Sequence, residues 1–393
     1  MKKLMFYCQH ILGMGHLVRS MEIVRGLTKD FEVCFINGGQ VVDDFNIPAD
    51  VQVVNLPAIK TDSEFKELQV VDTTQNLEEI QEYRKLKLLK IFEQFQPDCL
   101  IIELFPFGRR RFSFELIPLL ESVKAARKNT KVICSLRDIV VTKQDQARHE
   151  EKVCKLMNKY FDMLLIHGDS QFQKLEESFS RVSDLKCEVH YTGYVVQKTN
   201  NLSIKLSEDI LEKPLILVSV GGGRFGHELL DCVVKTSTIL QKRIPHQILM
   251  FTGPFMPEEK YTQLQAMADG CKNIKIYRYT SNFLKYMEAA DLSISMAGYN
   301  TTMNILTTKV RAMILPFTGN DDREQALRSQ KLENLGIVDV IHASELIPDI
   351  FAEKVITCLN KQPNQIKIDL EGVIKTANFV NQVVEKKHVI ASY

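Results

Sequence analysis

The chain predicts an α/β protein built from two doubly wound, parallel-sheet domains, and three observations carry that prediction. Residues 4–26, LMFYCQHILGMGHLVRSMEIVRG, run from an apolar strand through a glycine loop into a helix. The same order begins again at Pro214, where PLILVSV leads at once into Gly221-Gly222-Gly223-Arg224-Phe225-Gly226 and a second helix. The 393 residues are too many for one ordinary core and divide naturally into two domains of roughly 200 residues.

In the first half, Leu4–Cys8 reads as a strand and Gln9–Gly15 as a tight loop carrying Gly13 and Gly15. From His16 to Gly26 the apolar positions Leu17, Met21, Val24 and Leu27 recur at helical spacing. Phe31–Ile36 and Val51–Leu56 follow as buried strands, and the polar stretch 59–75 reads as a loop. Leu77–Phe95 is an amphipathic helix with Ile80, Tyr83, Leu86, Leu89 and Phe92 on or near one face, stopped by Pro97-Asp98. Cys99–Glu103 is the next strand, and FPFGRRRF (105–112) then sets three arginines among aromatics before a helix over 113–128. Lys131–Leu136 is a strand with Arg137-Asp138 at its carboxyl end, followed by a polar helix over 144–161 and the strands Met163–His167 and Glu188–Val195. This domain is expected to span 1–197, with a polar linker over 198–213.

The second domain is expected over 214–375. Its pattern adds a helix at 227–240, strands at 246–252 and 273–277, a helix at 281–290 and a short strand Leu292–Ser295. Met296-Ala297-Gly298-Tyr299-Asn300-Thr301-Thr302 opens the next helix, Val310–Leu315 is a strand, and FTGNDDREQ (317–325) leads into a helix ending near Leu335. A strand and a helix over 337–358 complete it, leaving an amphipathic helix at 376–393.

With 50 basic and 49 acidic residues the net charge is +1, which points away from nucleic acid as a partner. The nine cysteines are scattered and never in C-x-x-C spacing, as expected of reduced core thiols in a cytoplasmic protein. The apolar run after Met1 is five residues long and enters the glycine loop directly. No signal peptide or membrane span is expected from it.

Several residue groups could carry chemistry. His16 stands at the mouth of a helix, where it is a candidate general base or ligand contact, or a plain helix cap. The glycine loop with Arg224 suits a phosphate through loop amides, the helix dipole and a guanidinium. Gly298 to Thr302 offers a further anion pocket at a helix start. Asp321, Asp322, Glu324 and Gln325 would repel phosphates and fit better as acceptors for sugar hydroxyls. Arg109–Arg111 could face an anionic acceptor or a phospholipid headgroup, or form a solvated turn.

Taken together, GMGHLVRS (13–20), AGYNTTMNIL (297–306) and PFTGNDDREQALRSQKL (316–332) resemble the GT-B glycosyltransferases of family 28 over nearly the whole chain. The group includes the N-acetylglucosaminyltransferase that makes lipid II. LFPFGRRRF, SLRDIV and LIHGDS look more like a branch of predicted bacterial glycosyltransferases. The resemblance implies two Rossmann-like domains facing across a cleft, the donor held by the second and the acceptor mainly by the first, with the terminal helix crossing back to the first domain. It implies that Gly222, Gly223, Arg224, Gly298, Tyr299, Asn300 and Thr301 lie at the donor diphosphate, Tyr279 and Thr280 at the nucleobase, and Glu324 and Gln325 at the donor sugar. His16 matches the histidine proposed as base, with Asp138 in reserve, and Gly13, Gly15, Arg109 and Arg137 fall on the acceptor side.

One departure is that Asn304 stands where the family usually carries a ribose-gripping glutamate, so ribose binding should weaken. The resemblance implies an inverting transfer from a nucleotide-diphosphate sugar, UDP-linked, to a hydroxyl or amine of a small or lipid-linked acceptor. No D-x-D sequence is present. No metal or other cofactor is expected, and at most a peripheral contact at the inner face of the membrane. A nucleotide-sugar hydrolase of the same fold, an epimerase, and a non-catalytic sugar-nucleotide-binding partner subunit are the alternative readings.

Overall fold

A computed structural model describes residues 1–11, 15–42, 45–61, 67–71, 76–140, 145–197, 214–317, 319, 324–364 and 366–386. Gly13, the linker 198–213, Asp321, Asp322 and the tail beyond Lys386 lie outside the described residues. The chain forms two compact units, the first of Met1–Ile11, His16–Val196 and Ile368–Tyr393, the second of Leu12–Gly15 and Gln197–Lys367.

Unit 1 contains β1 (Lys2–Cys8), α1 (Gly15–Leu27), β2 (Phe31–Asn37), β3 (Val51–Asn55), β4 (Ile59–Thr61), β5 (Leu68–Val70), α2 (Leu77–Phe95), β6 (Cys99–Glu103), α3 (Ser113–Ala125), β7 (Lys131–Arg137), α4 (Gln146–Tyr160), β8 (Met163–His167) and β9 (Glu188–Tyr191). Its main sheet is parallel, ordered β3-β2-β1-β6-β7-β8-β9. Every residue of β6 and β8 is buried, as expected of strands covered on both faces. Met5, Tyr7, Leu100, Ile102, Leu116 and Leu119 belong to one continuous core.

Two local readings change. The stretch 59–75 was expected to be a loop, but β4 and β5 pair as an antiparallel hairpin, with strands too short to show a period in the sequence. Helix α2 begins where expected, its Asn76 Oδ1 accepting from the Glu78 amide at 2.8 Å, yet it turns a different face inward. Tyr83 and Leu86 are exposed, while Arg84, Leu88, Phe92 and Phe95 are buried. The cause is polar. The Arg84 guanidinium is drawn in by the Glu115 carboxylate, the Gln9 side chain and the carbonyls of Gly38 and Pro57, so its row of the helix follows it.

Unit 2 contains β10 (Leu215–Ser219), α5 (His227–Leu240), β11 (Gln247–Phe251), α6 (Glu258–Met267), β12 (Ile274–Tyr277), α7 (Phe283–Ala289), β13 (Leu292–Met296), α8 (Tyr299–Thr308), β14 (Ala312–Leu315), α9 (Glu324–Asn334), β15 (Asp339–Val340) and α10 (Pro348–Leu359). Its parallel sheet is ordered β12-β11-β10-β13-β14-β15. Helix α6 was not anticipated from the sequence, because Leu264 alone of its residues is buried and no apolar stripe marks it.

The last helix, α11 (Gly372–Glu385), belongs to unit 1, which regains the chain at Ile368, earlier than the expected 376. Phe379 stacks on His190 with ring centroids 4.3 Å apart, Lys386 pairs with Glu188 at 2.6 Å, and Val373 lies against Gly26 of α1. The approach to this helix is fixed by backbone bonds, the Tyr194 amide donating to the Asp369 carbonyl at 2.7 Å and the Gly372 amide to the Tyr194 carbonyl at 3.0 Å. Gly193, at φ +79°, leaves room for Asp369, whose Oδ1 would lie 2.4 Å from an added Cβ. Gly193→Ala should therefore destabilise unit 1 by about 1–3 kcal/mol and expose residues 366–372 to proteolysis. An unchanged urea midpoint and cleavage pattern would contradict this account of the junction.

Candidate active site

In a doubly wound sheet the strand order reverses between two neighbouring strands, the loops beyond their carboxyl ends diverge, and a crevice opens between them. In unit 1 those strands are β1 and β6. Helix α1 starts directly after the β1 loop with His16 in its first turn, and Glu103 is the last residue of β6. The two side chains meet across the crevice, His16 Nδ1 lying 2.6 Å from Glu103 Oε1. The same carboxylate oxygen accepts from Arg19, which is set one helical turn beyond His16. Arg19 and Glu103 are buried, whereas the His16 side chain keeps 14% of its surface exposed. An ionised carboxylate only accepts hydrogen bonds. The proton between the two groups therefore sits on Nδ1 and the lone pair on Nε2.

The electrostatics keep both groups in the forms a base pair of this kind requires. Burial alone would raise the Glu103 carboxyl, but His16, Arg19 and Arg109 around it hold it at about 2. Burial pulls His16 down to about 3, with Glu103 pushing up and Arg137 and Arg109 pushing down. His16 is thus a neutral imidazole at physiological pH.

The three consecutive arginines divide. Arg109 has a left-handed backbone, φ 56°, and donates through Nε to the Gln9 carbonyl at 2.8 Å, which turns it toward the Glu103 group. Arg110 instead lies against His149 Nδ1 at 3.0 Å, and with Arg111, Lys152 and Lys155 it lines an open groove of about 550 Å³. Arg137 ends β7 beside this site and is close enough to act on both His16 and Arg109.

Asp138, the reserve base, is fully buried and its Oδ2 accepts from the Tyr194 hydroxyl at 3.0 Å. The carboxylate presents no exposed surface to the crevice. Its part is to brace the segment around Tyr194. His167 is also fully buried, held between the hydroxyls of Ser135 at 2.8 Å and Thr192 at 2.9 Å.

In unit 2 the order reverses between β10 and β13, and the two predicted phosphate loops leave those strands. The turn Gly221–Gly226 packs on the loop after β11, where the Phe255 amide donates to the Gly222 carbonyl at 2.9 Å. Gly223, at φ +89°, passes so close to that loop that an added Cβ would lie 2.4 Å from the Thr252 carbonyl. Arg224 is half-buried with its guanidinium 5.4 Å from the Phe255 ring centre, and burial holds it below the usual guanidinium range. Gly298 caps α8 without a side-chain cap bond, leaving amides of the first turn, including Asn300 and Thr301, directed out of the helix end.

Tyr299 is buried with Arg328 over its ring, so only its backbone faces that end. Asn304 is buried on α8. Tyr279 and Thr280 lie in the loop after β12, where Thr280 Oγ1 accepts from the Asn282 amide. Glu324 is buried and accepts from Arg328 at 2.9 Å, and Gln325 Oε1 accepts from the Phe317 amide at 3.0 Å. Glu324 is thus held within α9, whereas Gln325 ties the start of that helix to Phe317. Gly15 opens α1, and its neighbour Gly13 is outside the described residues.

Glu103 and Arg19 were missed in the sequence. Their signals were a carboxylate closing the apolar strand CLIIE, and a histidine and an arginine three apart at the start of one helix.

Residues 215–382 match the glycosyltransferase family 28 C-terminal domain. The UDP-N-acetylglucosamine--N-acetylmuramyl-(pentapeptide) pyrophosphoryl-undecaprenol N-acetylglucosamine transferase of Caldicellulosiruptor saccharolyticus is 30% identical over 37% of this chain and 40% of that protein. An uncharacterized glycosyltransferase of Methanosarcina mazei is 22% identical over 61% of this chain and 59% of its own length. Matches to these curated relatives therefore span less than two thirds of their lengths. In fold, the chain is similar to Acinetobacter baumannii MurG, with a TM-score of 0.55, 16% identity and coverage of 98% of this chain and 99% of that one. Among the described residues no helix is long and apolar enough to cross a membrane.

The buried histidines set an acid limit on stability. Burial lowers His10 to about 4, and His16 and His167 to about 3, all below the ordinary 6.5. Above pH 6.5 they are neutral folded or unfolded, and their contribution is complete. As the pH falls below 6.5 the unfolded chain takes up protons that the folded chain refuses, at up to about 1.4 kcal/mol per pH unit for each histidine. Glu103, lowered from 4.5 to about 2, adds a further loss beginning near pH 4.5. Urea midpoints should decline from about pH 6.5 downward, before most carboxylates titrate. A flat profile between pH 7 and 5 would contradict the burial of neutral histidines.

Proposed function

We propose that this chain, a GT-B protein of the family 28 glycosyltransferase type, moves a sugar from a UDP-linked or related nucleotide-diphosphate donor to an acceptor hydroxyl or amine, with inversion and without a metal ion. The observation that carries the reading is the contact of His16 Nδ1 with the buried Glu103 carboxylate, which aims a neutral Nε2 from the switch point of unit 1. In the transfer, the acceptor oxygen forms a bond to the anomeric carbon as its proton passes to Nε2. The bond from that carbon to the diphosphate oxygen breaks on the opposite face, and the nucleoside diphosphate leaves with the electron pair. Glu103 stabilises the imidazolium that forms and is a positioning residue.

The leaving charge calls for donors already in place, since dipoles that need not reorganise act most strongly. Arg224, the amide of Gly222, and the first turn of α8 at Gly298 to Thr301 supply them in unit 2, while the Gly223 amide is turned onto the Val220 carbonyl at 3.4 Å. Tyr279 and Thr280 would meet the nucleobase, Asn304 the ribose through the helix it is buried in, and Gln325 the sugar. A lipid-linked acceptor is supported by the activity for which the Caldicellulosiruptor saccharolyticus relative is named, and peripheral contact with a membrane at the cytoplasmic face would follow from it.

Each part can be tested on its own. Glu103→Gln should lower turnover by about a hundredfold and alter the acid limb of the pH profile, while UDP affinity measured by calorimetry stays near wild type. Equal turnover would remove Glu103 from the account. Arg224→Ala should weaken UDP binding by about tenfold or more, and equal affinity would contradict the diphosphate role. Transfer should persist undiminished in EDTA, and a loss restored by magnesium would overturn the metal-free step. In a panel of nucleotide sugars a new glycoside is expected, whereas free sugar released without acceptor would mean a hydrolase.

A further inference from the structure

We infer that His227 is a positioning residue for the donor diphosphate. Its imidazole latches the Gly223 carbonyl, so the peptide between Gly223 and Arg224 offers the anion an amide and not a carbonyl oxygen. The inference rests on the reading of unit 2 as the donor side of a transferase, and names the side chain that keeps the glycine turn in its binding form.

An anion site built from backbone has one strict requirement. Each peptide is planar with its oxygen and its N–H on opposite edges, so a peptide that offers its amide to a phosphate must send its oxygen elsewhere. From Val220 to Gly223 each oxygen has a neighbour inside unit 2. The Val220 carbonyl accepts from the Gly223 amide at 3.4 Å, and the Gly222 carbonyl from the Phe255 amide at 2.9 Å. The Gly221 carbonyl lies against Gly253, 2.4 Å from where a Cβ would stand on that residue.

Gly223 differs in what holds it. Its carbonyl lies 2.9 Å from His227 Nε2, and a carbonyl only accepts, so Nε2 carries the proton of that contact. Gly226, at φ +82°, turns the chain into α5, and His227, the first residue of that helix, reaches back four positions to the loop. The three preceding oxygens face backbone, which any sequence supplies. The Gly223 oxygen depends on one side chain.

The residue so restrained is the one least able to hold its own orientation. Gly223 stands at φ +89°, with the Thr252 carbonyl 2.4 Å from the place of a Cβ, so the position excludes a side chain. Glycine also has the weakest preference between the two ways of setting the peptide that follows it. Turning that peptide over would put the Gly223 oxygen where the Arg224 amide had been, an acceptor in place of a donor. Opposite a diphosphate this removes a hydrogen bond and adds the repulsion of a carbonyl dipole. A donor on His227 opposes the turnover.

The test is calorimetric binding of UDP, and of inorganic pyrophosphate as the bare diphosphate, to the full chain. His227→Gln places an amide N–H near the position of Nε2, whereas His227→Leu fills the space without a donor and His227→Ala empties it. The Leu and Ala variants should bind both ligands about tenfold more weakly, and the Gln variant should stay within about threefold of wild type. Urea unfolding is followed on each variant to show that it is folded. Wild-type affinity in the Leu and Ala variants, or rescue by Leu as good as that by Gln, overturns the latch. If that happens while the wild type binds UDP and forms a glycoside, the transfer reading stands without it. The expected losses, with no glycoside formed from any nucleotide sugar, would leave the latch and remove the transfer reading. Binding of neither ligand by the wild type overturns both.

Discussion

One buried carboxylate organises the first unit. Glu103 sits at the end of a strand with no exposed surface, and an ionised group in that position persists only if its partners are fixed. Its partners are His16 and Arg19, one turn apart on α1, so a single carboxylate oxygen sets how the helix enters the sheet and which way the imidazole faces. Structure and chemistry are coupled through that atom. The hydrogen bond that anchors α1 is the bond that puts the proton on Nδ1 and leaves the lone pair on Nε2.

The two units apply one topological device to two kinds of charge. In each, the strand order reverses at the middle of a parallel sheet and the loops beyond that point diverge. Unit 1 fills the opening with side chains, His16, Glu103, Arg109 and Arg137. Unit 2 fills it with backbone, a run of glycines after β10 and a helix end after β13, plus Arg224. Side chains suit proton transfer, which needs a tunable group. Under the transfer reading bare amides would suit a diphosphate, which needs many donors at close range, and Gly223 has no room for a side chain because the Thr252 carbonyl lies against it.

The legible part of the sequence was what repeats locally. Strand, glycine loop and helix each leave a period or a punctuation mark, so the two parallel sheets, the start of α1 at Gly15 and the turns at residues 221–226 and 298–302 could be read directly. What escaped depends on contacts far apart in the chain. Glu103 lies 87 positions from His16, and nothing near CLIIE says that its last residue meets a helix start. Arg84 turned α2 because Glu115 and distant carbonyls draw its charge inward, against the apolar stripe that Tyr83 and Leu86 suggested. Asp138 looked reactive at a strand end and is instead a buried acceptor for Tyr194, 56 positions on.

The central claim is that a neutral, carboxylate-oriented His16 removes the acceptor proton. The most direct measurement is the turnover of His16→Ala with a donor whose product has been identified, alongside donor affinity and added imidazole. The account predicts a loss of about two to four orders of magnitude with donor binding largely kept, and partial recovery when imidazole fills the space. Turnover equal to wild type would contradict it.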